Sequence, residues 1–506
     1  VALPVAAGFR YEDTARRPVA AAVASPVVTG PSQASPTLPA DPPGLWDPSH
    51  RWVLVGVTCL ITVVAIEAMA VSTVMPVVED DLGGIWLYGW TFSAFSLGDL
   101  VGIVLGGRAA DRVRPVVPLL VGVATFTAGL VIGGLAPAMW VLVLGRALQG
   151  VGAGVVPAVS YVCVGRGFPP SIHPKVFAVM STAWIVPSLV SPLLASGVAT
   201  AFGWRWVFLG LVPVMGLVVC LAVLSLRGIG APDEPNDEAA PIARTVLLAL
   251  GAGMVLGGLT AEDPRWAVPL VVVGGVVAVP PLRALVPVGT FRAARGLPVV
   301  VLVRGVLTFA FFSADAFVSL ALTSVRGTST LYAGMVLAAA SLTWTAGSWL
   351  QARQIGVWGP AKLERLGAAC LVVGSALYAV CLPAAVPVPV WFLASAVAGF
   401  GMGTAYSPLS VVALERAEPG REGAATSALQ LTDILGVALG TGLAGVVVTV
   451  GDRVGADRLP TMAVIFGGAT AVAVVVFLLA PRLGGRPGSP ALTGAQSPNL
   501  SRSISQ

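Results

Sequence analysis

Between residues 52 and 481 the chain is a succession of apolar stretches, each about 20 residues long, broken by short charged or Pro- and Gly-rich segments. This pattern leaves few folds open. A helix of about 20 residues spans the hydrocarbon of a bilayer, and in lipid every backbone N–H and C=O must be satisfied within its own segment. The Val and Gly content, unfavourable to helices in water, therefore does not count against them here. Of the residues, 56% are hydrophobic and 10% charged, against roughly 25% charged in a soluble domain. So little charge cannot cover a water-facing surface, so the apolar faces must meet lipid. The expected fold class is an all-α membrane protein.

Several function classes drop out. The net charge of +5 comes without a basic stripe interleaved with aromatics, so no nucleic-acid partner is expected. Cys59, Cys163, Cys220, Cys370 and Cys381 stand singly, without zinc or redox spacing, and read as small buried hydrophobes. His50 and His173 fall in predicted loops and complete neither a metal site nor a Ser-His-Asp arrangement. A phosphate-cradling Gly-x-x-x-x-Gly-Lys loop is absent from the sequence. The chain is thus expected not to be an enzyme and to need no cofactor or metal. Work done on a substrate would be driven by an ion gradient, most simply of protons.

Apolar spans are expected near 52–77, 86–107, 115–136, 138–162, 175–200, 204–226, 245–261, 266–286, 298–322, 330–351, 366–384, 387–412, 424–450 and 461–481. The seventh and eighth are short and separated only by Ala261-Glu262-Asp263-Pro264-Arg265; if neither spans, the count is twelve, with the termini still on the same side. Around them the sequence divides into a disordered tail (1–50), a six-helix bundle (51–227), a polar Pro-rich linker (228–243), two inserted helices (244–287), a second six-helix bundle (288–482) and a second disordered tail (483–506). The opening residues lack the basic, apolar and cleavage-site order of a signal peptide. With the N-terminus inside, the cytoplasmic loops receive Arg108, Arg112, Arg114, Arg166, Lys175, Arg227, Arg244, Arg283, Arg292, Arg295, Arg353, Lys362, Arg365, Arg416 and Arg421. The outer loops receive Arg205, Arg265, Arg326, Arg453 and Arg458, with acids such as Glu79, Asp80 and Asp81. The positive-inside rule therefore places the chain in a cytoplasmic (inner) membrane with both termini cytoplasmic.

Charges inside apolar spans cost about 2.5–3.5 kcal/mol each on insertion scales and are usually functional. Six occur here: Glu67, Asp99, Arg146, Arg304, Asp315 and Asp433. An acid that alternates between an Arg partner and a wet cavity can carry a proton. The alternative use is a structural ion pair, such as Glu67 or Asp99 with Arg146. Arg304 and Asp315 are about three helical turns apart, on one face but too distant to pair.

Five motifs recur in one known family. The loop after the second span reads Gly107-Arg108-Ala109-Ala110-Asp111-Arg112, and the fourth span carries Arg146-Ala147-Leu148-Gln149-Gly150. The fifth contains Pro187-Ser188-Leu189-Val190-Ser191-Pro192-Leu193-Leu194-Ala195-Ser196. In the first span Glu67 precedes Pro76 by nine positions, and Gly203-Trp204-Arg205-Trp206 precedes the sixth. Together these resemble the major facilitator superfamily over about 52–481, most densely in the first half, and within it the fourteen-helix drug:proton antiporters. The resemblance implies a conformational latch at Gly107, Asp111 and Arg112, and a buried Arg146 that tunes the pKa of a neighbouring acid. It also implies a helix-packing motif at Pro187, Ser191 and Pro192. Two departures stand out: Glu67 replaces the usual Asp, and Ser-Pro-x-x-Ala-Ser replaces the antiporter pattern Gly-Pro-x-x-Gly-Gly. A degraded second latch is expected at Gly347-Ser348-Trp349-Leu350-Gln351-Ala352-Arg353, with Gln351 in the place of Asp111.

The function expected is proton-coupled export of small amphipathic compounds, drugs among them, by alternating access. Glu67 leads as proton carrier, with Asp99, Asp315 and Asp433 behind it. A cavity for such ligands needs aromatics and a few polar groups. Candidates are Trp90, Phe95, Trp184, Arg304, Phe309, Phe312, Tyr406 and Gln430. Two alternatives stay open: export of a dedicated endogenous metabolite or lipid, and a membrane scaffold or sensor that does not transport. The partners expected are the small-molecule substrate, protons and membrane lipid, and the protein is expected to act as a monomer.

Overall fold

A computed structural model of the protein describes residues 46–47, 51–168, 185–226, 242–261, 263–417 and 422–484, with isolated positions at 172, 176, 179–180, 183 and 230. Almost all of both expected tails, most of the 228–243 linker and the start of the fifth span lie outside the described residues. No strand occurs among those residues. The helices are α1 (Arg51–Leu82), α2 (Tyr88–Ala110), α3 (Val116–Gly134), α4 (Met139–Gly167), α5 (Ile185–Phe202), α6 (Leu211–Leu226), α7 (Ile242–Thr260), α8 (Pro264–Leu285), α9 (Leu297–Leu320), α10 (Thr330–Trp358), α11 (Pro360–Val380), α12 (Val390–Glu415), α13 (Glu422–Arg453) and α14 (Arg458–Leu479). A helical turn, Arg205–Leu209, leads into α6.

Among the described residues, twelve helices are long and apolar enough to cross a bilayer. They include α7 and α8, the two weakest spans of the sequence. The helices outside the twelve are α5 and α10: the apolar part of α5 is the shorter Val190–Phe202, and α10 carries a polar string of Ser341, Thr343, Thr345, Ser348 and Gln351. The protein is a multi-pass, all-helical membrane protein.

The helix ends follow local chemistry. α1 runs through Pro76 and stops where Gly83 and Gly84 take φ of 64° and 75°, a left-handed pair that a Cβ would resist. α11 begins at Pro360, six residues before the apolar run, because Gly359 and a first-turn Pro start a helix well. α9 ends in a wider five-residue turn, Ala321–Val325, with i→i+5 bonding.

Helix packing follows one scheme twice. α2 and α3 pack on α4, α1 on α5 and α6, and α3 on α6; then α10 and α11 pack on α12, α9 on α13 and α14, and α11 on α14. Between the two groups, α2 meets α13 and α5 meets α10. α7 and α8 pack on each other, and α7 also lies against α2 and α13. Lipid offers no hydrophobic drive between helices, so small residues that let backbones touch do this work. A Cβ on Gly150 would lie 1.9 Å from the Phe95 carbonyl oxygen, and one on Gly154 2.3 Å from that of Asp99. The second group repeats the device: Gly399 and Gly403 would each come within 2.0 Å of the Ala340 and Trp344 carbonyls.

The same contacts correct the expected second latch. Gly347 abuts the Phe400 carbonyl on α12, as Gly102 abuts the Val151 carbonyl on α4, whereas Gly107 has nothing within 4 Å. Gly347 is therefore the packing counterpart of Gly102, and Gln351 does not stand in the place of Asp111.

Candidate transport site

Let the near end be where α1 starts at Arg51 and the far end where it finishes at Leu82. Gly84 meets Met139 at the start of α4, and Ser319 near the end of α9 donates to the Thr73 carbonyl, so α4 starts at the far end and α9 at the near end. Five of the six intramembrane charges form two clusters at different depths.

The first cluster joins α1, α2 and α4. Arg146 donates through Nη1 to Glu67 Oε1 and, at 2.7 Å, to Gln149 Oε1; its Nε donates to the Thr91 carbonyl at 3.1 Å. Its guanidinium carbon stands 4.3 Å from the Phe95 ring centroid. Arg146 and Glu67 are 2% and 1% exposed, so neither charge is stable here without the other. Glu67 Oε2 and Gln149 Nε2 have no hydrogen-bond partner. On α5, Ser191 donates to the Ile66 carbonyl at 2.5 Å, directly before Glu67. Pro187 is buried beside it, and Pro192 meets the site of Gly334 on α10 at 3.2 Å. The packing motif thus fixes the backbone that carries Glu67.

The second cluster joins α9, α12 and α13. Arg304 donates through Nε to Asp433 Oδ1 at 3.1 Å and through Nη1 to the Tyr406 carbonyl at 2.6 Å. The Tyr406 hydroxyl donates to Asp433 Oδ2 at 2.8 Å, and its ring centroid is 3.0 Å from the Arg304 guanidinium carbon. Thr308 Oγ1 donates to the Asp433 carbonyl at 3.0 Å. Asp99, half-buried on α2, lies close enough to Asp433 for their charges to interact, with its Oδ1 2.9 Å from the Cβ site of Gly154. Arg146 and Arg304 each sit about 10 Å along their own helices, but α4 starts at the far end and α9 at the near end. The first pair therefore lies nearer the far end and the second nearer the near end.

The remaining predicted residues separate. Asp315 is half-buried on α9, and its charge reaches the Tyr378 hydroxyl, which pairs with Ser395 at 2.8 Å. Trp90 turns away from the central helices and donates to Thr260 of α7 at 3.2 Å. The Phe309 carbonyl lies against Gly440 of α13, and Gln430 is half-buried one turn before Asp433. Phe312 stacks edge-on with Phe311 (5.1 Å), which meets Trp344 (5.4 Å), which meets Tyr406 (5.6 Å). Trp184 is outside the described residues. At the near end Asp111 faces Arg166 of α4 at 3.8 Å, both partly exposed, and Arg112 is exposed.

Sequence reasoning missed three residues here. Gln149, quoted in a motif, is a direct partner of Arg146. Trp344 completes the aromatic strip. Glu364, in the second turn of α11, is 0% exposed. Its basic neighbours Lys362 and Arg365 make the stretch look like a loop; the Gly359-Pro360 helix start was the signal that could have found it.

At the far end the two groups of helices are tied together. Ser93 donates to the Ala438 carbonyl at 2.9 Å and lies 3.1 Å from Thr441 Oγ1; Thr449 donates to the Trp86 carbonyl and Ser319 to the Thr73 carbonyl. A Cβ on Gly89 would lie 2.6 Å from the Cα of Gly445.

Known proteins share this architecture. Residues 57–433 match the model of the Major Facilitator Superfamily. A probable multidrug-efflux transporter of Mycobacterium tuberculosis is 29% identical over 418 residues, covering 78% of this chain and 86% of the relative. A multidrug resistance protein B homolog of the same organism is 24% identical over 411 residues, 78% and 75% of the two chains. Among solved structures, a POT family transporter in complex with 5-aminolevulinic acid superimposes with a TM-score of 0.65 at 15% identity, covering 85% of this chain and 96% of the other. The human organic anion transporter MFSD10 gives 0.58 at 16% identity, covering 86% and 100%. At such identities the likeness speaks to the fold alone. The family match over most of the chain, the all-helical fold and the transporter relatives agree, and the chain belongs to the Major Facilitator Superfamily of membrane transporters.

Proposed function

We propose that this transporter exports small amphipathic compounds, drugs among them, in exchange for protons by alternating access. The observation that carries this reading is the buried Glu67–Arg146 pair, placed just below the far-end closure, with one carboxylate oxygen unpartnered. A guanidinium keeps its proton and can only change partners. Parting of the two bundles would let water reach Glu67 and let it exchange a proton. Asp99, Asp315 and Asp433 stand behind it as further carriers. Relatives named as multidrug-efflux transporters and as a drug efflux pump support the cargo class.

The twice-used packing scheme, with α7 and α8 outside it, supports two six-helix bundles (51–227 and 288–482) around an inserted pair, hence fourteen spans and the fourteen-helix drug:proton antiporter branch. The basic loops gather at the near end. This supports a cytoplasmic near end in the inner membrane, with both termini cytoplasmic and the far end facing out. Asp111, Arg112 and Gly107 then form the cytoplasmic latch, with Arg166 as the partner of Asp111. No cofactor is needed; the proton gradient drives a monomer whose partners are its substrate, protons and lipid.

The test is flux of ethidium, a fluorescent lipophilic cation, in proteoliposomes with and without an imposed pH gradient. Gradient-driven flux that is lost in Glu67→Gln supports the reading. Equal flux in Glu67→Gln at every pH removes Glu67 as the carrier. No gradient-driven flux in the wild type favours the second reading, a carrier for a dedicated metabolite or lipid. The Arg304–Asp433–Tyr406 cluster supports that reading, because it could hold a zwitterionic group.

A further inference from the structure

Glu364 is the one carboxyl among the described residues that is wholly buried with neither oxygen hydrogen-bonded. One turn further along α11, Gly367 is pressed so closely on α12 that a Cβ would lie 2.5 Å from the Gly401 carbonyl and 2.7 Å from the Ala405 Cβ. Residues three apart share a helix face. Glu364 is therefore held beside the stretch of α12 where Tyr406 offers its carbonyl to Arg304. Arg304 is the cation whose field reaches it. Two of the five Arg304 N–H donors go to Asp433 and the Tyr406 carbonyl. An unpaired carboxylate in such surroundings is costly, and a proton removes the cost.

We propose that Glu364 is a second proton-binding group of this transporter, and that Arg304 exchanges Asp433 for Glu364 as the bundle changes conformation. The proposal rests on the proton-coupled reading above. In the present arrangement Arg304 neutralises Asp433 and Glu364 holds a proton. When Arg304 swings to Glu364, that proton leaves to water at the near end. Asp433, stripped of its counter-ion, takes up one proton or the positive group of a substrate. One positive charge leaves and one arrives, so the net charge of the cluster is unchanged.

The charged group whose field reaches Glu364 is Arg304 on α9, which itself holds Asp433 and the Tyr406 carbonyl. The Ala480–Leu483 turn that packs on α11 carries Arg482, exposed and donating to the Ala293 carbonyl. On its own helix Lys362 and Arg365 are exposed, and Arg365 lies 5.3 Å from the Phe477 ring. Gln351 of α10 is buried and neutral, and residues 459–479 of α14 include no charge.

Infrared spectroscopy of the full chain in liposomes reads the proton directly, through the C=O stretch of a protonated carboxyl. The wild type should show a band that Glu364→Gln lacks. Asp433→Asn should lose the same band, because the freed Arg304 pairs with Glu364 and displaces its proton. Arg304→Gln should keep it, which also decides the matter if Glu364→Gln does not fold. A band that survives Glu364→Gln, or persists unchanged in Asp433→Asn, overturns the proposal. In ethidium flux, Glu364→Gln should flatten the dependence on near-end pH; a pH profile matching the wild type overturns the proposal and leaves the Glu67 reading standing. If the wild type shows no gradient-driven flux, the proton-coupled reading fails, and the infrared band still decides whether Glu364 holds an exchangeable proton.

Discussion

Arg146 meets four groups at once: the Glu67 carboxylate, the Gln149 amide, the Thr91 carbonyl and the Phe95 ring. Only a planar fork can serve all four, so a lysine keeps the charge and loses the geometry. Arg146→Lys should leave at least one charge-assisted hydrogen bond unmade, worth about 1.5–3 kcal/mol, or more than tenfold in an equilibrium. We expect normal membrane insertion but ethidium flux reduced by about tenfold or more, by the same arithmetic; flux within twofold of wild type would show that charge alone suffices. Legibility at this scale depended on contrast. Glu67, Arg146, Arg304 and Asp433 were visible because each is a charge within an apolar run. Their partners were less so, because pairing between α9 and α13 depends on helix rotation, which spacing does not fix. Trp90 shows the limit: an aromatic in a span suits a cavity, a lipid face or a neighbouring helix equally well, and here its indole N–H found Thr260.

Adjacent glycines on α8 allow a sharper test of a whole element. Gly274 faces α7, where a Cβ would lie 2.7 Å from the Gly251 carbonyl and 2.8 Å from the Met254 Cβ. Gly275 has nothing within 4 Å. Gly274→Val should therefore pry α7 from α8 at about 1–3 kcal/mol, the usual cost of overpacking, while Gly275→Val adds only a lipid-facing methyl pair. Thermal unfolding in detergent should show a lowered midpoint for the first and an unchanged one for the second; equal midpoints would mean that the pair does not pack as described. The positions of the helices were largely legible: each expected run overlaps a described helix, though the start of the fifth lies outside the described residues and α5 and α10 fall outside the twelve of spanning length and hydropathy. Their ends were not. α11 gained six residues from a Gly-Pro start, and α1 ran on past 77 to Leu82, stopping only at the left-handed Gly83 and Gly84, because capping residues rather than hydropathy decide where a helix begins and stops. The apparent second latch failed for a related reason: a Gly followed by an Arg looks alike whether the glycine serves a loop or a helix contact, and only the Phe400 carbonyl against Gly347 tells them apart.

For the molecule as a whole, the far-end contacts make alternating access testable without knowing the natural cargo. The hydrogen bonds of Ser93, Thr449 and Ser319 cross from one group of helices to the other, and all lie in the far half of the bundle. If substrate leaves by the far end, α2 and α13 must part there in every cycle. Ser93 and Thr441 face each other at 3.1 Å between hydroxyl oxygens, so cysteines introduced at the two positions would meet across this closure. The five native cysteines sit at positions 59, 163, 220, 370 and 381, all free and outside α2 and α13. In a Ser93→Cys, Thr441→Cys double variant, mild oxidation should close the far end and stop net ethidium flux. Dithiothreitol should restore it, and neither single variant should respond. A cross-linked protein that still transports would mean that α2 and α13 stay together at this level throughout the cycle. Movement would then have to occur at the remaining contacts between the two groups, where α10 meets α5 and α1 and Gly334 lies against Pro192 and Thr73.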